Sequence, residues 1–382
     1  MNSLELFSGA GGLALALEQA GFHSNALIER NPDACATLRR NRPDWRVLES
    51  DVREIDFASF GPVHLVAGGP PCQPFSMGGK AVGYDDHRDM FPQAVRAVRE
   101  LRPLAFLLEN VRGLLRPAFR NYVEFIRLQL TYPEFPVSPN VTWEVNLQRL
   151  ERHHNSGKST AESSYNVTLN LANAADYGVP QHRHRVFFVG FRRDVPARWF
   201  FPAPTHGAEA LDQAKWGDGA YWREHGLRRP PPPDRLPRLA ATPPLITELA
   251  RRRTVRDALR GLGDPATTGK GAHVQQPGAR SYPGHTGSPL DEPAKALKAG
   301  DHGVPGGENM LRYPDGRVRY FSVRESARIQ TFPDDWAFSG SWTESMRQLG
   351  NAVPVELGRV VAASVANALQ PHVERARLQS AR

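Results

Sequence analysis

The sequence predicts an α/β protein built on a doubly wound, mainly parallel sheet, and three observations predict it. Over residues 1–190 short apolar runs alternate with helical patterns, as strand–helix–strand units require. A glycine-rich stretch, Gly9-Ala10-Gly11-Gly12, stands where the first strand would hand over to the first helix. Two carboxylates, Glu29 and Asp51, fall at the end of the second strand and just after the third, where a bound nucleoside would meet them.

Taken in order, the strands fall at Ser3–Phe7, Ser24–Ile28, Val47–Glu49, Val63–Ala67, Ala105–Glu109 and Arg185–Phe191. Helical patterns lie between them at Leu13–Ala20, Pro32–Arg40 and Met90–Leu101, with Pro32 and Asp33 suited to a first turn. The alternation stops after Phe191. Proline becomes dense at Pro230–Pro233, Pro237, Pro243 and Pro244, and glycines cluster at Gly261–Gly271 and Gly300–Gly307. These stretches favour loops, with a helix allowed at Thr247–Leu259. Order returns at Ser322–Gln330, a capped helix with Arg324, Glu325 and Arg328 on its polar side, and at the Ala/Val-rich helix Glu356–Leu369. The expected organisation is an α/β domain at 1–191, a smaller loop-rich insert at 192–320, and a C-terminal segment, 321–382, that returns to the first domain. No internal repeat is visible.

Composition narrows the class. Among 382 residues, 40% are hydrophobic and 23% charged, the balance of a soluble globular chain. No run approaches 18 apolar residues, so no membrane span is expected. The start runs straight into Leu4-Glu5-Leu6-Phe7 without a basic leader. Two cysteines provide no disulfide framework, and the expected location is the reducing cytoplasm. Residues 192–320 hold 17 Arg and 4 Lys against 14 acidic residues, so nearly all of the chain's formal charge of +8 sits in the insert. A localised arginine excess is the footprint of a phosphate backbone.

The chemistry gathers around Gly68-Gly69-Pro70-Pro71-Cys72-Gln73. A thiol between prolines at the C-terminal end of a strand is where an α/β enzyme would keep a nucleophile. A zinc deaminase needs a second cysteine three residues on, and Phe75 stands there. A cysteine hydrolase needs a histidine base; His64, His87, His182 and His184 exist, but nothing in the sequence pairs one with Cys72. Addition of a thiolate to an electron-poor ring fits better. Glu109 ends another apolar strand and could protonate a ring nitrogen, with Asn110 beside it. In Gln181-His182-Arg183-His184-Arg185, two arginines fall on one face of a starting strand and could hold a ring carbonyl and a phosphate. Phe7, Glu29 and Asp51 then read as a stacking face and two acceptors of a nucleoside pocket.

Thiol, acid, arginine pair and glycine loop stand in an order that resembles the DNA (cytosine-5)-methyltransferases of bacterial restriction–modification systems. The resemblance rests on Phe-Ser-Gly-Ala-Gly-Gly (7–12), Pro-Pro-Cys-Gln (70–73), Glu-Asn-Val (109–111), Gln-His-Arg-His-Arg (181–185), Arg-Glu-Ser-Ala-Arg-Ile-Gln (324–330) and Gly-Asn-Ala-Val-Pro (350–354). It implies a Rossmann-like domain that binds S-adenosyl-L-methionine through Phe7, Ser8, Gly9, Gly11, Gly12, Glu29, Asp51, Val52, Pro70 and Asn351. It implies duplex DNA as partner, a flipped cytosine attacked at C6 by Cys72, Glu109 and Arg185 on the ring with Arg183 nearby, and Asn110 supporting Pro71 and Cys72. Ser76–Asp89 would form a mobile loop over the base, and 192–320 would recognise the target. A monomer is expected, with a separately acting restriction endonuclease as a possible companion. The chain departs from the family's usual Asp-Leu-Phe in having Glu5-Leu6-Phe7, and Cys35 matches no motif. The alternatives are an RNA (tRNA) cytosine methyltransferase on the same fold, a catalytically idle DNA-binding regulator, and a dinucleotide oxidoreductase that would leave Cys72 and Glu109 unexplained.

Overall fold

In the computed structural model, residues 1–71, 89–232, 249–269, 271–299 and 309–380 are described. Cys72 and all of the predicted 76–89 loop except Asp89 therefore lie outside the described residues.

The first strand, β1 (Asn2–Leu6), is central, with Leu4 and Leu6 buried on one face and Ser3 and Glu5 buried on the other. It pairs in parallel with β2 (His23–Glu29) on one side and β4 (Leu65–Gly68) on the other. Beyond β2 lies β3 (Val47–Glu49), and beyond β4 lies β5 (Ala105–Val111), both parallel to their neighbours. Two further strands, β6 (Tyr165–Asn173) and β7 (His184–Arg192), complete the order β3-β2-β1-β4-β5-β7-β6. β7 runs antiparallel to β5, so the sheet is parallel-dominated rather than purely parallel. The order reverses at β1 and β4, and ligands of doubly wound sheets bind at the strand ends beside such a reversal.

Helices cover the two faces. Leu4, Leu6, Ile28, Val66, Phe106, Leu108 and Phe188 form one core with buried residues of α3 (Phe91–Leu101), α4 (Arg120–Thr131) and α5 (Trp143–Ser156). On the other face Leu27 packs with Ala14 of α1 (Gly12–Gln19) and Leu38 of α2 (Pro32–Asn41). Local chemistry sets the helix ends. Asn31 caps α2 by accepting the Ala34 N–H at 2.9 Å, Pro32 fills the first turn, and Arg39 and Arg40 close the last. In α3 the buried Ala94, Val95, Ala97 and Val98 make the apolar stripe.

By compactness the chain divides into two units. One contains Met1–Ala172, His184–Phe201 and Gly358–Arg382; the other contains Asn173–Arg183 and Pro202–Leu357. The second unit thus takes in 173–183 and 321–357 as well as most of the basic insert. Its small sheet joins Ser288–Pro289, Met310–Arg312 and Val318–Tyr320, over a core of Val255, Ala258, Leu297, Leu311, Phe321 and Ile329. The helix allowed at Thr247–Leu259 is shorter, Val255–Leu259, because Thr254 and Asp257 form a capping box there while Ala250–Arg251 is extended. Ser322 caps Val323–Ile329 in the same way with Glu325. Glu325, expected on that helix's polar side, is instead fully buried, and Arg319 donates to both of its oxygens at 2.7 and 2.6 Å. By length and hydropathy Trp342–Gln379 could cross a membrane; it is two helices broken near Pro354, with 61% of its most apolar stretch buried, as in a core helix.

Candidate active site

The C-terminal edge of β4 and β5 concentrates the predicted chemistry. Glu109 and Asn110 are both buried near the end of β5. In the antiparallel register Arg185 of β7 lies opposite Val111, and Glu109 lies opposite Phe187. Glu109 and Arg185 are therefore diagonal neighbours on one face. They form an ion pair, Nε to Oε1 at 2.5 Å. Burial pushes the Arg185 guanidinium below its ordinary value while the Glu109 carboxylate pushes it back up.

The Gly68-Gly69-Pro70-Pro71 segment is held against this pair. A Cβ added to Gly69 would stand 3.2 Å from Glu109 Oε2, so glycine allows the backbone to run directly beside the carboxylate. Asn110 Nδ2 donates to Pro70 O at 2.9 Å, and its Oδ1 accepts the Val111 N–H at 2.8 Å. The Met90 N–H donates to Pro71 O at 3.2 Å. Cys72, the next residue, is outside the described residues.

Arg183 lies one residue before β7 and is held by other partners, which corrects the expectation that both arginines act together on one face of a strand. Its buried guanidinium donates to Leu297 O at 2.8 Å, Gly350 O at 2.5 Å and Ala352 O at 3.0 Å, all within the second unit. Gln181 and Gln330 extend this network: Gln181 Nε2 donates to Gln330 Oε1, and Gln330 Nε2 donates to Leu349 O. Asn351, between two of the carbonyls held by Arg183, is exposed at the end of helix Trp342–Asn351.

The glycine loop lies at the β1 end of the same sheet. Phe7, Gly9 and Gly11 all have positive φ, 57°, 52° and 88°. Gly11 caps α1 without a side chain, and among the described residues an added Cβ at Gly9 would meet nothing within 4 Å. Ser8 N–H donates to Ile28 O, and Gly12 begins α1. Glu29 fixes the turn by accepting from Gly9 N at 2.8 Å and from Arg30 and Asn31 N at 2.9 and 2.8 Å. Beneath it Glu5 is buried, and burial, followed by the Glu29 charge, raises its carboxyl well above the usual range. Asp51 is occupied locally: Arg53 donates to both of its oxygens, and that hydrogen bonding is the main reason its carboxyl sits at about 2. Val52 is buried, and its carbonyl is held by Arg96 at 2.7 Å.

Sequence reasoning passed over two fixing groups in this unit. Arg96 also donates to Ile55 O and lies 4.4 Å over the Phe57 ring, tying α3 to the segment after β3. Asp89 accepts the Phe91 N–H at 3.1 Å. Its signal was present in the sequence, an Asp two residues before Phe91-Pro92 at a helix start.

Comparison with known proteins decides the family. Residues 1–146, 140–216 and 250–367 match the family described as C-5 cytosine-specific DNA methylase. The chain belongs to the C-5 cytosine-specific DNA methylase family. It is 34% identical to the Type II methyltransferase M.NgoMIV of Neisseria gonorrhoeae, over 96% of this chain and 98% of that one. It is 32% identical to the Type II methyltransferase M.PspPI of Psychrobacter sp., over 95% and 78%. The fold is similar to that of the Dnmt2 methyltransferase of S. pombe, with a TM-score of 0.55 at 17% identity over 97% and 98%. Membership makes this DNA methylase a transferase acting on C5 of cytosine in DNA. Family and fold imply S-adenosylmethionine as methyl donor. The glycine turn beside Glu29, at the start of α1, suits such a nucleoside ligand.

Proposed function

We propose that this methylase acts on a cytosine flipped out of duplex DNA and that Cys72 is its nucleophile. Cys72 thiolate adds to C6 while Glu109, once it has taken a proton from solvent, donates it to N3, which moves electron density to C5. Arg185 serves twice: it holds Glu109 in place and offers donors to the ring carbonyl. Asn110 keeps the Pro70 backbone, and so the start of the thiol-bearing segment, beside Glu109. After transfer a base removes the C5 proton and Cys72 is eliminated. S-Adenosylmethionine, when bound, supplies the methyl group as a sulfonium electrophile. Phe7, Ser8, Gly9, Gly11, Gly12, Glu29, Asp51, Val52, Pro70 and Asn351 are the residues proposed to hold it, with Glu29 orienting the loop as well as accepting from a ribose.

The observation that carries this reading is the buried Glu109–Arg185 pair with Gly69 beside its carboxylate and Asn110 on Pro70. The basic stretch 192–320 is proposed to contact phosphates and read the target. By analogy with the names of its relatives, the protein is proposed to protect host DNA within a restriction–modification system. We propose a cytoplasmic monomer, with any endonuclease acting separately. Bisulfite sequencing of DNA from a methylation-free host expressing the protein tests substrate and position together. Cys72→Ala should abolish methylation and leave DNA affinity nearly intact, because phosphate contacts dominate binding. Normal methylation by that variant rules out the nucleophile assignment.

A further inference from the structure

We infer that Tyr122 is a positioning residue for the reaction, acting through Asp89 on the two ends of the chain that flank residues 72–88. The inference rests on the proposal that Cys72 is the nucleophile, and it starts from a buried phenol. Tyr122 lies on α4 with 4% exposure, edge-on to Trp143 at 5.4 Å and tilted against Phe125 at 6.2 Å. A phenol in such an aromatic cluster is retained over phenylalanine where its hydroxyl has an acceptor. That acceptor is Asp89 Oδ2.

Asp89 divides its two oxygens between two elements. Oδ2 takes the Tyr122 hydroxyl, and Oδ1 accepts the Phe91 N–H at the start of α3. The next residue, Met90, donates its N–H to Pro71 O at 3.2 Å. On the other side Pro70 O is held by Asn110, which adjoins Glu109. The chain entering residues 72–88 and the chain leaving them are thus joined to each other, to α4 and to β5. Pro71 is bonded to Cys72. Displacing its carbonyl displaces the origin of the thiol side chain relative to Glu109, and a shift of about 1 Å at a reacting group lowers the rate on the order of a hundredfold. None of the six stretches that carry the resemblance contains Tyr122 or Asp89.

The test uses the full chain with Tyr122→Phe, Asp89→Ala, Asp89→Asn and the double variant Tyr122→Phe/Asp89→Ala. Three quantities are measured: kcat and KM for S-adenosylmethionine, the rate of covalent adduct formation on DNA carrying 5-fluorocytosine, and the melting temperature. Tyr122→Phe and Asp89→Ala should each slow turnover and adduct formation on the order of tenfold, the loss of a hydrogen bond to a charged group, with KM within about twofold. The double variant should be no slower than Asp89→Ala, because that variant already removes the contact that Tyr122→Phe removes. Asp89→Asn keeps an acceptor for Phe91 and an amide that can pair with the phenol, and should stay within about threefold of the parent. A parent-like adduct rate in Tyr122→Phe, with only a lowered melting temperature, overturns the positioning role alone. Failure of the parent protein to form any adduct overturns the nucleophile reading and this inference together.

Discussion

Replacing Arg183 should damage the fold before it damages the chemistry, and the size of the effect follows from its three bonds. The guanidinium is buried and donates to the carbonyls of Leu297, Gly350 and Ala352. A hydrogen bond involving a charged group contributes about 1.5–3 kcal/mol. Three of them, less about 3 kcal/mol for burying the cation, leave roughly 2–6 kcal/mol. For a unit of about 150–250 residues each kcal/mol moves the melting point by about 2–4 °C, so Arg183→Ala should melt roughly 5–20 °C below the parent. Lysine carries its donors on one point rather than a planar fork and cannot span three diverging carbonyls, so Arg183→Lys should recover less than half of the loss. Arg185→Ala gives the contrast. It removes a partner of Glu109 and should abolish turnover with a clearly smaller thermal shift. Circular dichroism melts and methyl transfer measured on the same preparations separate the two arginines. If Arg183→Ala melts within about 2 °C of the parent yet fails to turn over, the architectural role is wrong and Arg183 belongs to the chemistry.

Three further outcomes follow from single contacts. Gly69→Ala puts a methyl group 3.2 Å from Glu109 Oε2 and should push the carboxylate off Arg185, lowering kcat on the order of tenfold while circular dichroism stays parent-like; unchanged kcat would show that the carboxylate can yield. Burial alone would raise the Asp257 carboxyl, but hydrogen bonds from Arg251 and Thr254 hold it at about 2. A carboxyl lowered in this way stabilises above the unfolded value near 4 and loses about 2–3 kcal/mol as pH falls from about 4 to 2, so Asp257→Asn should flatten the acid-unfolding curve in that window. Cys35 is fully buried, with its thiol pushed up to about 12 by burial first, and should resist maleimide at pH 8 until the protein is denatured; rapid labelling of Cys35 in the native state would contradict that burial.

Much of the first unit was legible because its signals are local. Apolar runs gave β1 to β5, Pro32 gave the start of α2, and the glycines at 9 and 11 gave the turn that only positive φ allows. The strand β6 and helices α4 and α5 were not called, although Arg120–Thr131 carries eight buried residues in a helical pattern. The misreading of Glu325 has a different cause. Sequence counts a charged residue as polar, whereas a partner six residues upstream, Arg319, makes its burial possible. No local pattern reports such a partner.

The two arginines of Gln181–Arg185 show where the limit of that reading lies. Period-two alternation assigns a side chain to a face, but it does not report which partners the rest of the fold brings to it. Arg185 of β7 reaches Glu109, while Arg183, just before the strand, is taken up by carbonyls of its own unit. The same donor group then meets a carboxylate in one case and three peptide carbonyls in the other. Gln181, Arg183, Gln330 and Gly350–Ala352 come from three separate motifs, yet they form one buried network. Residues repeated together in a motif can therefore owe their spacing to assembly rather than to chemistry. In this chain the distinction falls between adjacent odd positions. Arg185 pairs with the acid beside the thiol-bearing segment, and Arg183 fixes the backbone on both sides of Asn351.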